Sequence, residues 1–148
     1  MKQIRTAIEQ DIEKVRAFLG QAEVSADGIE SIIDHFILME DAKQNIIATL
    51  GIERIEKDGL LRSLVITPGV DQTNLLTLFK SALSLAKYKE LSRLYLATNK
   101  QASIQFFTML GFEKVEEQEL PGHIKDSNHI THLLEKADPM FMVSQIEK

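Results

Sequence analysis

The chain contains no cysteine. Disulfides, thiolate metal centres and a cysteine nucleophile are therefore excluded. No apolar run approaches the roughly 20 residues that cross a bilayer, and Met1-Lys2-Gln3-Ile4-Arg5 lacks the apolar stretch of a signal peptide. The expectation is a cytoplasmic protein with no membrane partner. Basic residues are also in deficit: 17 Lys and Arg against 22 Asp and Glu leave a formal charge of -5. That balance argues against nucleic acid, whose phosphates reward basic surfaces, and mildly suits a cationic amine. What the chain has is apolar content: 44% hydrophobic residues in 148 exclude disorder and predict one domain, 1–148, with a real core.

Lys2 to Ala7 reads as a short strand, and Asp11 as the N-cap of a helix carrying Ile12, Val15, Phe18, Leu19 and Ala22. Ser25 to Gly28 is a polar break before a second helix with Ile29, Ile32, Ile33 and Phe36, running towards a strand near Ile37 to Glu40. Ile46 to Glu56 and Leu60 to Thr67 are strands joined by Lys57-Asp58-Gly59 as a hairpin turn. After Pro68-Gly69, Asp71 to Lys87 places Leu75, Leu76, Phe79, Ala82, Leu83 and Ala86 on one helical face. Leu94 to Thr98 is a strand, Ala102 to Leu110 a helix stopped by Gly111, and Phe112 to Leu120 a strand. Ser127 to Ala137 is a helix and Met140 to Ile146 a last strand. Alternation of this kind predicts an α/β fold: a mixed sheet of six to seven strands flanked by helices on both faces.

The element order, the stretch LRSLVITPGVDQTNLLTLF (Leu61 to Phe79) and the later FFTMLGF (Phe106 to Phe112) resemble the GNAT superfamily of acetyl-CoA-dependent N-acetyltransferases. The resemblance implies acetyl transfer from acetyl-CoA to a small-molecule amine. In that family the strand before the turn splays from its neighbour and pairs with the pantetheine arm. The pyrophosphate then rests on helix N-terminal N–H groups in a Gln/Arg-x-x-Gly-x-Gly/Ala loop. Aligned on Pro68, the pantetheine strand is Leu64, Val65 and Ile66, and the loop is Asp71-Gln72-Thr73-Asn74-Leu75-Leu76.

This chain departs from the family at the residues that hold the phosphates. Asp71 replaces Gln or Arg, and Asn74 and Leu76 replace the small residues. An Asp71 carboxylate would repel a pyrophosphate by roughly 1–4 kcal/mol per charge pair at about 4 Å. Asp71 then reads either as a structural helix cap or as part of a reshaped loop holding CoA through Thr73 and backbone N–H groups. Asn99 matches the region where the family contacts CoA with an Asn.

The family's general acid is a Tyr four residues before the Gly-Phe, and here that position is Phe107, which has no proton to give. Phe106, Phe107 and Phe112 read as core. No catalytic side chain is assigned, although Glu53 could act through water as a base and Arg62 could hold a substrate carboxylate. His123, His129, His132 and Glu135 carry no metal-ligand motif, so no metal is expected. A binding or regulatory module with lost cofactor affinity is the alternative function, and homodimerisation stays open.

Overall fold

In this structure, a computed structural model, residues 2–98, 103–136 and 138–146 are described. The strands are β1 (Gln3–Thr6), β2 (Phe36–Glu40), β3 (Ile46–Ile55), β4 (Asp58–Ile66), β5 (Arg93–Thr98), β6 (Glu113–Val115) and β7 (Met140–Gln145). The helices are α1 (Ile12–Gln21), α2 (Ile29–Ile32), α3 (Gln72–Tyr88), α4 (Ser103–Met109), α5 (Gly122–Lys125) and α6 (Asn128–Lys136). The strands form one mixed sheet in the order β1-β2-β3-β4-β5-β7-β6, the α/β class that the alternation of elements predicts. The chain divides into two compact units, Met1–Glu53 with Arg62–Leu85 and Arg54–Leu61 with Ala86–Lys148.

In the first unit, β1 and β2 pair antiparallel from Gln3↔Glu40 to Thr6↔Ile37, and β2 pairs with β3 from Phe36↔Gly51 to Met39↔Ala48. Val15 and Leu19, one turn apart on α1, are fully buried with Ala7, Ile29, Ile33, Phe36 and Leu38. Gly51 is fixed by this packing. A Cβ there would lie 2.7 Å from the Phe36 ring, and Phe36 is itself buried. Gly51→Ala is expected to cost about 1–3 kcal/mol through displacement of that ring, read as a lowered melting temperature.

Asp11 does not cap α1 with its side chain, contrary to the expectation. Its carboxylate instead accepts both Nη groups of Arg5 at 2.8 Å and the Ile8 N–H at 2.8 Å. Arg5 Nε donates to Glu40 at 2.8 Å, so one guanidinium joins two buried carboxylates. These bonds to Arg5 hold the Asp11 carboxyl below its ordinary range and raise the Arg5 value.

In the second unit, β5 runs parallel to β4 (Gly59↔Leu94, Leu60↔Tyr95) and antiparallel to β7, from Arg93↔Gln145 to Thr98↔Met140. β7 also pairs with β6. Leu60, Tyr95, Leu120, Ile124, Ile130 and Phe141 form this unit's core. The hairpin turn lies at Glu56-Lys57, with Glu56 at φ +58°, while Asp58 and Gly59 already belong to β4. Asp58 is buried and bonded to His123 Nε2 at 2.7 Å, which holds it in the strand. The strand predicted over Phe112 to Leu120 shortens to β6, because Glu117–Glu119 form a 3-10 turn that delivers Leu120 to the core.

Candidate active site

β4 carries the local feature from which the site is built. Ser63 adopts a left-handed conformation, φ +59°, a region that costs a non-glycine residue about 1–2 kcal/mol. The conformation is supported by Thr49, a fully buried residue of β3 whose Oγ1 donates to the Ser63 carbonyl at 2.9 Å. A single left-handed residue inside a strand interrupts its regular pleat. It re-aims the backbone groups that follow, and strain of this kind concentrates at functional positions. Beyond it, Leu64 and Ile66 are 40% and 43% exposed, and the Thr67 N–H returns to the Ile47 carbonyl at 3.0 Å. Val65, by contrast, packs against the core of this unit. The strand thus offers alternate side chains outward along Leu64 to Ile66, the segment aligned with the pantetheine strand.

A turn through Pro68-Gly69, closed by Val70 N–H to the Thr67 carbonyl at 3.0 Å, leads to α3. Asp71 Oδ1 accepts the Asn74 N–H at 2.8 Å, and Asn74 Oδ1 accepts the Asp71 N–H at 3.3 Å. This reciprocal pair is a capping box in which Asn takes the place of the usual Glu or Gln. Asp71 is therefore a helix cap, and its carboxylate takes one of the N–H groups that an anion at this end would use. Gln72 and Thr73 are exposed, while Leu75 and Leu76 are partly buried within the first turns of α3. Leu75 N–H is bonded to the Asp71 carbonyl at 3.0 Å.

One contributor has no signal in the sequence. Lys2, 67 residues from Gly69, places its Nζ 3.1 Å from the Gly69 carbonyl and 2.9 Å from Asn74 Oδ1. A cation therefore stands at the loop where Asp71 supplies a negative charge. Local spacing could not have revealed it, because β1 reaches the loop only through tertiary structure.

Arg62, the residue before Ser63, is drawn to Glu53 on β3: Nη1 to Oε1 is 2.9 Å, with side chains 16% and 26% exposed. Arg62 Nη2 lies 3.4 Å from the Asp27 carbonyl, between α1 and α2. Among the sequence candidates, Asn99 lies outside the described residues. Phe107 is buried and packs edge-on against Phe106 and Phe112, with centroids 5.5 and 6.0 Å away. Tyr95 is buried and Tyr88 is exposed on α3. His123 is engaged by Asp58 and, at 3.4 Å, by Glu56, and no group of His, Asp or Glu that could hold a metal ion occurs among the described residues. No helix among those residues is long and apolar enough to cross a membrane.

Comparison with known proteins fixes the family. The chain is 39% identical over 128 residues to the uncharacterized protein YwlB of Bacillus subtilis (strain 168), covering 86% of each. The chain belongs to the YwlB family. No family model matches it. Among solved structures, it superposes on N-acetylglutamate synthase from Neisseria gonorrhoeae complexed with coenzyme A and N-acetyl-glutamate, with a TM-score of 0.77 and 20% identity. That match covers all of this chain but only 36% of the synthase, so the YwlB-family chain spans about a third of that enzyme. An acetyltransferase of the GNAT family from Staphylococcus aureus Mu50 matches end to end, at 99% and 100% coverage, TM-score 0.72 and 16% identity. The ribosomal-protein-S18-alanine N-acetyltransferase from Escherichia coli matches with a TM-score of 0.68 and 13% identity, over 100% of this chain and 96% of that one. The fold of this YwlB-family protein is the GNAT fold.

Proposed function

We propose that the protein is an acyl-CoA-dependent N-acetyltransferase acting on a small amine, with acetyl-CoA as co-substrate. The observation that carries this reading is the break at Ser63 followed by the outward-facing Leu64 and Ile66. A strand distorted in this way can aim a backbone N–H at a developing oxyanion, usually the largest single contribution to acyl transfer. GNAT-fold neighbours crystallised with coenzyme A, including the Neisseria synthase and Rv2747 from Mycobacterium tuberculosis, support the choice of co-substrate.

In this proposal Leu64, Val65 and Ile66 accommodate the pantetheine arm through their backbone. Asp71, Gln72, Thr73, Asn74, Leu75 and Leu76 border the remainder. The neutral amine attacks the thioester carbonyl, a C–N bond forms, and the C–S bond breaks to release the CoA thiolate. The amine's proton leaves to Glu53 through water. Phe107 donates no proton to the thiolate, so turnover relies on proximity and on the oxyanion site. Acetylation by the purified protein, followed by free thiol release and product mass across a panel of small amines at millimolar acetyl-CoA, tests this. Amine-dependent product is expected, and its absence with every amine contradicts the proposal.

The capping bond from the Asn74 N–H to Asp71 favours a second reading, a GNAT-fold binding or regulatory module that has lost cofactor affinity. It shares the fold and differs in turnover. The same assay separates the two.

A further inference from the structure

Arg62 is incompletely used by the fold. Its guanidinium has five N–H donors on a side chain only 16% exposed. One Nη1 hydrogen goes to Glu53 at 2.9 Å, and the Nη2 contact to the Asp27 carbonyl, at 3.4 Å, is at the limit of a hydrogen bond. Nε is buried and has no hydrogen-bond partner among the described residues. A guanidinium retained only to tie the Asp27 loop to β4 would be expected to fill its Nε–Nη2 edge, since an unpaired buried donor is unfavourable. That edge is the planar fork that fits a carboxylate with two parallel bonds.

Glu53 occupies the other side of the fork, so the pair presents a cation and an anion side by side. An α-amino acid carries the complementary charges, an ammonium and a carboxylate on one carbon. Arg62 is also two residues from Leu64 in the chain, so their Cα atoms lie no more than about 7.6 Å apart, the reach of two trans peptide units. We infer that the acceptor is a free α-amino acid, with Arg62 clamping its carboxylate along the Nε–Nη2 edge. Glu53 pairs with its ammonium, which gives its first proton to solvent before attack; the proton released on C–N bond formation then leaves to Glu53 through water. The carboxylate displaces the weak Asp27 contact, so the segment carrying Asp27 shifts when the acceptor binds. A polyamine or a polypeptide N-terminus lacks the adjacent carboxylate and leaves the edge empty. This inference rests on the N-acetyltransferase reading and specifies its substrate class.

The test uses the full chain with each of the twenty common L-amino acids, their α-amides and their decarboxylated amines. Acetylation is followed with acetyl-CoA, and direct binding by saturation-transfer NMR without it. At least one free amino acid is expected to bind and be acetylated, with its amide and decarboxylated form poorer by about 100-fold or more in kcat/KM. Arg62→Met is expected to erase that preference and Arg62→Lys to restore part of it. A purely structural Arg62 would lower the melting temperature in both variants and leave the preference intact, overturning the inference. Amides or simple amines acetylated as well as the free acids would overturn it too, while leaving the N-acetyltransferase reading in place. Amino-acid binding that is lost in Arg62→Met, without acetylation of any amine, would uphold the amino-acid site and sink the transferase reading. No amino acid bound and none acetylated overturns the inference. Should Arg62→Met fail to fold, the acid-against-amide comparison on the unaltered protein decides alone.

Discussion

Replacing Asp71 with Arg and both Asn74 and Leu76 with Gly is expected to raise acetyl-CoA affinity by about tenfold or more, roughly 1.4 kcal/mol or more. In the proposed binding mode the unaltered loop opposes the pyrophosphate in three ways. Asp71 contributes a negative charge, its Oδ1 holds the Asn74 N–H at 2.8 Å, and the Leu76 side chain adds bulk. The triple change turns repulsion into attraction and frees the N–H groups of the first turn for the anion. It also removes a cap, at about 1 kcal/mol, and places two glycines inside α3, at about 1 kcal/mol each. A thermal melt must therefore show a folded variant before its affinity is read. No gain in a folded variant would mean that the strand Leu64 to Ile66 does not receive the pantetheine arm, and the binding-module reading would be kept.

The second large effect concerns stability. Arg5→Met removes the shared partner of Asp11 and Glu40, two buried carboxylates that Arg5 bonds at 2.8 Å, and leaves Asp11 the Ile8 N–H and Glu40 the Lys14 Nζ at 3.9 Å. Removing one partner of a buried ion pair costs about 3–5 kcal/mol. Arg5 is 36% exposed, so solvent screening reduces this to about 2–3 kcal/mol. For a chain of this length that corresponds to a melting temperature lower by about 5–10 °C at neutral pH. The effect has a defined pH dependence. Asp11 is held below its ordinary value by Arg5, so its stabilisation is in place above the unfolded carboxyl value. That stabilisation is lost as pH falls through the folded one. The gap between Arg5→Met and the unaltered protein is expected to shrink as pH drops below about 4. A gap that holds or widens in acid would show that Asp11 gains nothing from Arg5.

Where the fold was legible in the sequence, hydrophobic period made it so. The long helix expected over Asp71 to Lys87 is α3, and the strands expected from Ile46 and Leu60 are β3 and β4 within a few residues. Tertiary contacts explain the misplacements. Asp58-Gly59 is a favoured two-residue turn, but the bond from Asp58 to His123 moves the turn back to Glu56-Lys57. Asp11 has the chemistry of a cap, yet Arg5 and the Ile8 N–H compete for the same oxygens. In the site, Asp71 as a cap could be read locally because both partners lie within four residues. Lys2 and the pairing of Arg62 with Glu53 could not, because they depend on strand assembly and on a break at Ser63 that no residue in LRSLVIT announces.

Calorimetric titration of the unaltered protein with acetyl-CoA at physiological salt tests the central claim most directly. Saturable binding with a Kd of about 0.1–1 mM, some -4 to -5.5 kcal/mol, is expected. That is what a GNAT strand with an acidic, glycine-free cofactor loop would retain. Micromolar or tighter binding would contradict the proposed role of the loop as a weakened phosphate site, and no binding at millimolar acetyl-CoA would contradict the proposed N-acetyltransferase activity.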